Sequence, residues 1–347
     1  TAENDRWWGK GFTDWVNVAK ARALFKGHEQ PHIPADLGFY DLRLPETRAA
    51  QAQLASNYGI EGFCYWHYWF AGRRVLGRPF DEVLASGEPD FPFCLGWANE
   101  SWSGVWRGEP DQILIEQTYP GEQDDRAHFS YLLKAFADSR YITVDGKPLL
   151  VIYKPLKLLD AKKRFDFWRE LALTAGLKGL YILGVNMLDF KDAGKLGLDG
   201  AIISTLGVVA SDNRLINTIK RLSWGARKRL SLGGPKVTQY GEAIKHLVPN
   251  LSKFSFKAYP SVFPNWDHTP RMGRKGTVLA NSTPQLFESH VRDAVASLAG
   301  REDEYKIVFL KSWNEWAEGN YVEPDIQWGH GYLEALSKAI HRDDTPS

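Results

Sequence analysis

Residues 305–325 read YKIVFLKSWNEWAEGNYVEPD, an apolar run that gives way to tryptophans, amides and carboxylates. Residues 91–102, FPFCLGWANESW, do the same: a short apolar stretch, then Trp97, Asn99, Glu100 and Trp102. Short apolar runs of this length read as buried strands. A strand that repeatedly delivers a polar loop at its C-terminal end is the pattern of a parallel sheet whose loops gather on one face.

Working outward, seven such runs lie near 60–66, 91–97, 148–153, 179–185, 199–203, 253–259 and 305–311. Amphipathic stretches separate them. PETRAAQAQLASNYG places Pro45 at a helix start and Gly59 at its end, the asymmetry expected of helix termini. RPFDEVLASG stops at Gly87, further helices are expected near 124–138 and 161–175, and TPQLFESHVRDAVASLAG and HGYLEALSKAI flank the last strand. Strands separated by helices argue for a parallel sheet. Aromatic and polar clusters after several of them favour a (β/α)8 TIM-type barrel, one domain over 1–347, above an open doubly wound sheet. Seven strands are one short of eight. The opening segment TAENDRWWGKGFTDWVNV resembles a loop that follows a strand, so a first strand is expected ahead of Thr1.

With a formal net charge of +1, the chain offers no electrostatic case for nucleic acid or an anionic membrane. No apolar stretch approaches the roughly 20 residues of a membrane helix. Cys64 and Cys94 sit in different apolar runs and read as core thiols. A cytoplasmic protein and an exported one whose signal has been removed both fit. The 14 tryptophans and 14 tyrosines, many beside Asn, Asp, Glu or His, suit either an aromatic core or walls on which sugar rings stack. Dinucleotide and phosphate-loop fingerprints are absent, as is the serine nucleophile elbow.

Glycoside cleavage needs one acid for the leaving oxygen and a second group to supply or activate a nucleophile. Glu315 and Glu318 fit if the turn after the last strand brings both into one cavity, and Gly319 permits the bend. Asn314 and Trp316 flank them as ligand-orienting residues. Glu100 either orients that pair and binds hydroxyls, or is a solvent-facing residue beside a capping Asn99; Trp97 and Trp102 complete its cluster. Trp66, His67 and Tyr68 follow another strand, with His67 read either as a donor to a sugar hydroxyl or as a structural histidine. Asn186 ends a fourth strand. Tyr259, Trp266, Asp267 and Arg271 follow a sixth, in a proline-containing loop, YPSVFPNWDHTPR, that also reads as scaffolding. Trp15 comes from the first segment, beside Trp7, Trp8 and Asp14. His28 and His32 are four apart, but Pro31 and Pro34 disfavour a helix there. No metal site and no cofactor are expected.

In DRWWGKGFTDWVNVAKA, QPHIPADLGFYDLR, GIEGFCYWHYWF, FPFCLGWANESW, NWDHTPR and SWNEWAEGNYVEP, the chain resembles the WbsX-like proteins, whose domain is related to glycoside hydrolase family 99. The resemblance spans nearly the whole chain. It implies a TIM-type barrel with its site at the C-terminal face and, in most members, a strand ahead of the first block. It also implies roles: Glu315 assisting the substrate 2-hydroxyl and Glu318 as acid/base, through a 1,2-anhydro sugar with retention of configuration. The chain departs from family 99 at Ala317, where those enzymes commonly carry His. These readings point to a retaining glycoside hydrolase acting on a bacterial polysaccharide or oligosaccharide that is α-mannoside- or α-rhamnoside-like. The second reading is a glycosyltransferase or transglycosylase of surface-polysaccharide assembly, the one case with a nucleotide sugar as partner. The third is a noncatalytic glycan-binding protein.

Overall fold

The structure is a computed structural model that describes residues 2–104, 109–185, 193–204 and 234–341. Its main sheet, among these residues, has seven parallel strands: β1 (Phe63–His67), β2 (Phe93–Trp97), β3 (Lys147–Ile152), β4 (Tyr181–Val185), β5 (Gly200–Ile203), β6 (Lys257–Val262) and β7 (Phe309–Leu310). They pair in chain order, and a short strand, Thr143–Val144, adds antiparallel to β3. Helices Pro45–Asn57, Arg78–Ser86, Glu122–Phe136, Ala161–Thr174, Pro284–Ala296 and Gly331–Ile340 punctuate the strands. Pro45 opens the first of them, and Gly87 closes the second at φ 75.

The sheet does not close. It is a strongly curled half-barrel that sweeps 254° round an axis, with its edges 9 Å apart. This corrects the expectation of a closed eight-stranded TIM-type barrel. Hydrogen-bonded strands lie about 4.8 Å apart, so edges at that separation exchange no ladder bonds. Side chains span the gap instead. Phe63 on β1 packs its ring 5.4 Å from Trp313, which follows β7. Ala52 and Ala55 of helix Pro45–Asn57 join them in one apolar cluster with Phe91.

Two strands differ most in extent from the sequence reading. The sixth was expected over 253–259 and lies at Lys257–Val262, because Leu251–Lys253 form a 3-10 turn capped by Asn250, and Pro260 lies inside the strand. The seventh shrinks to two residues behind another 3-10 turn, Asp303–Tyr305. A three-stranded sheet was not foreseen: Thr277–Ala280 pairs in parallel with Lys236–Gln239 and antiparallel with Trp266–Asp267. It holds the WDHTPR loop against the rim of the half-barrel.

Strand parity then sorts the side chains. On β1, Tyr65 and His67 turn outward to the helical layer, where His67 meets His128 and stacks on Tyr131. Cys64 and Trp66 share the concave face with Gly96 of β2, where any Cβ would come 2.9 Å from the Trp66 ring. The bare glycine therefore lets that ring lie across the neighbouring strand. Cys94 is a buried thiol as expected, but Cys64 is exposed on the open concave side.

Asn99 fastens the end of β2 to the end of β3. It is fully buried, accepts from the Lys154 N–H at 2.7 Å and donates to the Lys154 carbonyl at 2.9 Å. Asn99→Ala would orphan both backbone groups, and buried polar groups without partners cost about 1–3 kcal/mol each. Denaturant unfolding should therefore show Asn99→Ala destabilised by roughly 2–4 kcal/mol, whereas a loss under about 0.5 kcal/mol would mean the tie is dispensable.

Candidate active site

The NEWAEG stretch folds into a tight hairpin beyond β7. Asn314–Glu315 pairs antiparallel with Asn320–Tyr321, and a 3-10 turn, Trp316–Glu318, joins them. In a 3-10 turn residues i and i+3 eclipse, which is why a spacing of three puts Glu315 and Glu318 on one side. Gly319 follows at φ 51, and a Cβ there would lie 2.7 Å from the Asp267 Cβ and 2.9 Å from its backbone nitrogen. Both the left-handed backbone and the close approach require glycine.

Asp267 is the anchor on the other side of that contact. It is buried and accepts from His28 at 2.7 Å, Gln30 at 2.6 Å and the Thr269 N–H at 2.8 Å. Burial alone would push its pKa up, but these hydrogen bonds hold it below the usual carboxylate range. The short helix Thr269–Met272 that follows carries Arg271 into the centre of the site.

Arg271 meets three carboxylates. Nη1 donates to Glu318 at 2.6 Å, and Nη2 donates to Glu315 at 2.9 Å and to Asp14 of the N-terminal segment. Its side chain is 8% exposed, against 31% for Glu315 and 19% for Glu318, so the cation is sealed while the carboxylates still reach the cavity. Lys311 adds a second cation to Glu318 at 3.3 Å. Its ammonium also lies 4.7 Å from the Trp266 ring centre and 3.4 Å from the Asn320 amide oxygen. The two glutamates thus sit in unequal fields. Burial, helped by the Glu318 charge, raises Glu315 against the pull of Arg271. Burial would raise Glu318 too, but Lys311, Arg271 and His268 outweigh it and hold Glu318 low.

Aromatic residues from the ends of β1 and β3 face this group. Tyr68 is half-buried with its hydroxyl in the field of Glu315, and desolvation keeps that phenol protonated. Tyr153, pushed up to about 12 by burial and by Glu100, Glu318 and Glu315, is likewise a neutral donor. Trp66 stands edge-on to Tyr153 at 5.3 Å and is 38% exposed, which leaves its face open to a ligand. Trp102 packs edge-on to Tyr68 at 5.1 Å. Glu100 lies at the outer margin, paired with Lys157 at 3.1 Å and Lys154 at 3.9 Å.

Of the residues singled out from sequence, Glu315, Glu318, Trp66, Tyr68, Trp102, Trp266 and Glu100 thus line or border the concave cavity. Others are engaged elsewhere. Trp97 is buried, edge-on to His128 and near Trp168 under the helices. His67 lies beside it, its pKa lowered to about 3 by burial, and Tyr259 shares a buried hydroxyl contact with Tyr181 at 2.7 Å. Asn99 and Asp267 hold loops. Trp15 donates to the Tyr40 carbonyl at 2.9 Å and packs near Trp316. Asn186 lies outside the described residues. His32 meets the Tyr321 hydroxyl at 2.8 Å. Lys311 and Tyr153 were not singled out from sequence; Arg271 and Asp14 were named within their motifs, but nothing in their spacing announces a shared partner.

Glu323 supports the hairpin from beneath. It is buried and accepts from Trp316 at 2.7 Å, Tyr40 at 2.8 Å and Gln51 at 2.6 Å, while Asn314 donates to Tyr40 at 2.9 Å. Trp316 also stacks on Tyr321 with ring centres 3.7 Å apart. Trp316 and Asn314 therefore fix the turn from behind. Burial pushes Glu323 up to about 7 against the pull of its donors.

Residues 1–336 match the family described as Glycosyltransferase WbsX. The uncharacterized protein WxcX of Xanthomonas campestris pv. campestris, in two strains, is 34% identical over 346 residues, which covers 98% of this chain and 48% of WxcX. The chain therefore spans about half the length of the curated relatives it matches. Among solved structures, a glycoside hydrolase-like protein aligns with a TM-score of 0.61 at 17% identity, over 94% of this chain and 99% of its own. The endo-alpha-mannosidase of glycoside hydrolase family 99 from Bacteroides thetaiotaomicron aligns at 0.58 and 15% identity, over 89% of this chain and 82% of its own. In complex with bis-tris propane the corresponding values are 0.57 and 14%, over 89% and 87%. The fold is thus that of glycoside-hydrolase-related proteins.

The Glu323 network carries a pH signature. The pKa of this carboxyl in the fold stands above its unfolded value of about 4.3, so the stability it contributes is full below that value and is lost as pH rises through 7. Between pH 5 and 8 the wild type should lose about 2–3 kcal/mol more unfolding free energy than Glu323→Gln. Parallel pH profiles in chemical denaturation would contradict a protonated Glu323.

Proposed function

The chain belongs to the WbsX glycosyltransferase family, and from that premise we propose that it is a retaining glycoside hydrolase acting on a bacterial polysaccharide or oligosaccharide. The observation that carries the reading is the gathering of Glu315 and Glu318 on one guanidinium, facing Trp66, Tyr68 and Tyr153 across the concave cavity. Paired carboxylates supply the proton transfers of glycoside cleavage, an exposed indole face offers stacking to a sugar ring, and neutral phenols donate to its hydroxyls.

Glu315 takes the proton of the substrate 2-hydroxyl as that oxygen attacks the anomeric carbon. Glu318 protonates the departing glycosidic oxygen, and a 1,2-anhydro sugar results. Water then opens that ring, with Glu318 accepting the water proton and the 2-oxygen recovering its own from Glu315, so configuration is retained. The route requires a 2-hydroxyl trans to the leaving group, a condition met by α-mannose and α-rhamnose. Tyr68 and Tyr153 bind, and Arg271 keeps the two carboxylates side by side. The family description favours a second reading, transfer of the sugar to an acceptor hydroxyl in polysaccharide assembly, for which the same pair would serve.

Glu318→Gln and Glu315→Gln should each lower turnover of an α-mannan, α-rhamnan or surface-glycan substrate by roughly 10²–10⁴-fold. The assay is mass spectrometry of products formed in heavy-oxygen water, with and without nucleotide sugars. Label at the new reducing end, lost in both variants, is the expected result. Donor-dependent chain extension without label would instead establish transfer, and variants as active as the wild type would remove the pair from catalysis.

A further inference from the structure

The two candidate catalytic carboxylates are not equally neutralised. Both oxygens of Glu318 face cations: Oε1 takes Arg271 Nη1 at 2.6 Å and Oε2 takes Lys311 Nζ at 3.3 Å. Among the described residues Glu315 has one ionic contact, at Oε2, with an Arg271 nitrogen that it shares with Asp14. The other charged or titratable groups near the pair are His268 from the WDHTPR loop, Tyr68 after β1 and Tyr153 after β3. Both phenols are neutral, and burial lowers the His268 pKa, which favours the neutral ring. Lys311 also pulls on Glu315, but its direct contact is with Glu318, so the asymmetry rests on where Lys311 is held by Trp266 and Asn320.

We propose that Lys311 is a positioning residue that keeps Glu318 ionised in the empty site, so that Glu315 is the first of the pair to take up a proton and a sugar must displace the ammonium before Glu318 can act as the acid. An opposite charge at this range favours the ionised form of a carboxyl, and two of them on one carboxylate favour it more than half of one. A sugar oxygen hydrogen-bonded to Glu318 would occupy the space of the 3.3 Å contact. Where Glu315 carries a proton, displacing Lys311 lets that proton move to Glu318: one carboxylic acid becomes a carboxylate, the other the reverse, and the charge of the site does not change. Glu318 is thus biased toward the carboxylate while Lys311 is in place, and a sugar that displaces the ammonium removes that bias. Lys311 acts through Glu318 and need not touch the reacting atoms.

The catalytic consequence rests on the glycosidase reading, but the resting order of protonation does not, and it is measured without any sugar. Carbon-13 NMR of protein labelled at the glutamate carboxyl carbon, assigned with Glu315→Gln and Glu318→Gln, gives the midpoint of each group. In the wild type Glu315 should titrate at a higher pH than Glu318. Lys311→Met should raise the Glu318 midpoint by about one unit or more, and Lys311→Arg should keep it near the wild-type value, with amide spectra reporting the fold of each variant. A wild-type Glu318 that titrates at or above Glu315 overturns the proposal with no variant needed. So does a folded Lys311→Met whose Glu318 midpoint is unmoved. If the titration order holds and no glycan is ever cleaved, the glycosidase reading fails and the charge arrangement stands.

Discussion

One guanidinium set against three carboxylates is the constraint on which the site depends. Arg271 draws Asp14 from the N-terminal segment and Glu315 and Glu318 from the hairpin after β7 onto a single planar fork. Arginine suits this because its donors are fixed in a plane and it stays charged when buried. Removing it would leave three carboxyl groups facing one another in a partly desolvated cavity, with Lys311 at Glu318 as the remaining cation in contact with them among the described residues. The other restraints serve the same end. Asp267 fixes the helix that carries Arg271, Gly319 lets the hairpin touch the Asp267 backbone, and Glu323 ties the rear of the turn to Tyr40 and Gln51.

The half-barrel supplies the surface on which these loops meet. Parallel strands send all their C-terminal ends to one side, so residues as distant in sequence as Trp66, Tyr153 and Glu318 converge without direct pairing between their segments. Closure is not needed for that convergence. The edges stay 9 Å apart, and apolar packing between Phe63 and Trp313 holds the hairpin beside β1.

Much of this was legible in the sequence. The apolar runs locate the strands, and the polar clusters after them locate the loops, because a buried strand must be continuously apolar while its exit meets solvent. The spacing of Glu315 and Glu318 was not enough alone; the flanking Trp313, Asn314 and Trp316 made the pair a candidate. Parity was not legible. TyrTrpHisTyrTrp at 65–69 holds five ring-bearing residues in a row, and only the fold tells that Trp66 faces the cavity while His67 lies under the helices against His128. Closure was invisible too, since sheet curvature depends on packing between strands and not on any one run. The roles of Arg271 and Lys311 were hidden for a different reason: a cation's role depends on which distant carboxylates it meets, and nothing local encodes that.

The most direct test is a crystal structure of the Glu318→Gln protein soaked with an α-linked mannose or rhamnose oligosaccharide. The account predicts a sugar ring lying between the Trp66–Tyr153 wall and the Glu315 side chain, with a glycosidic oxygen at residue 318. An oligosaccharide bound at saturating concentration anywhere else, with that cavity left empty, would contradict it.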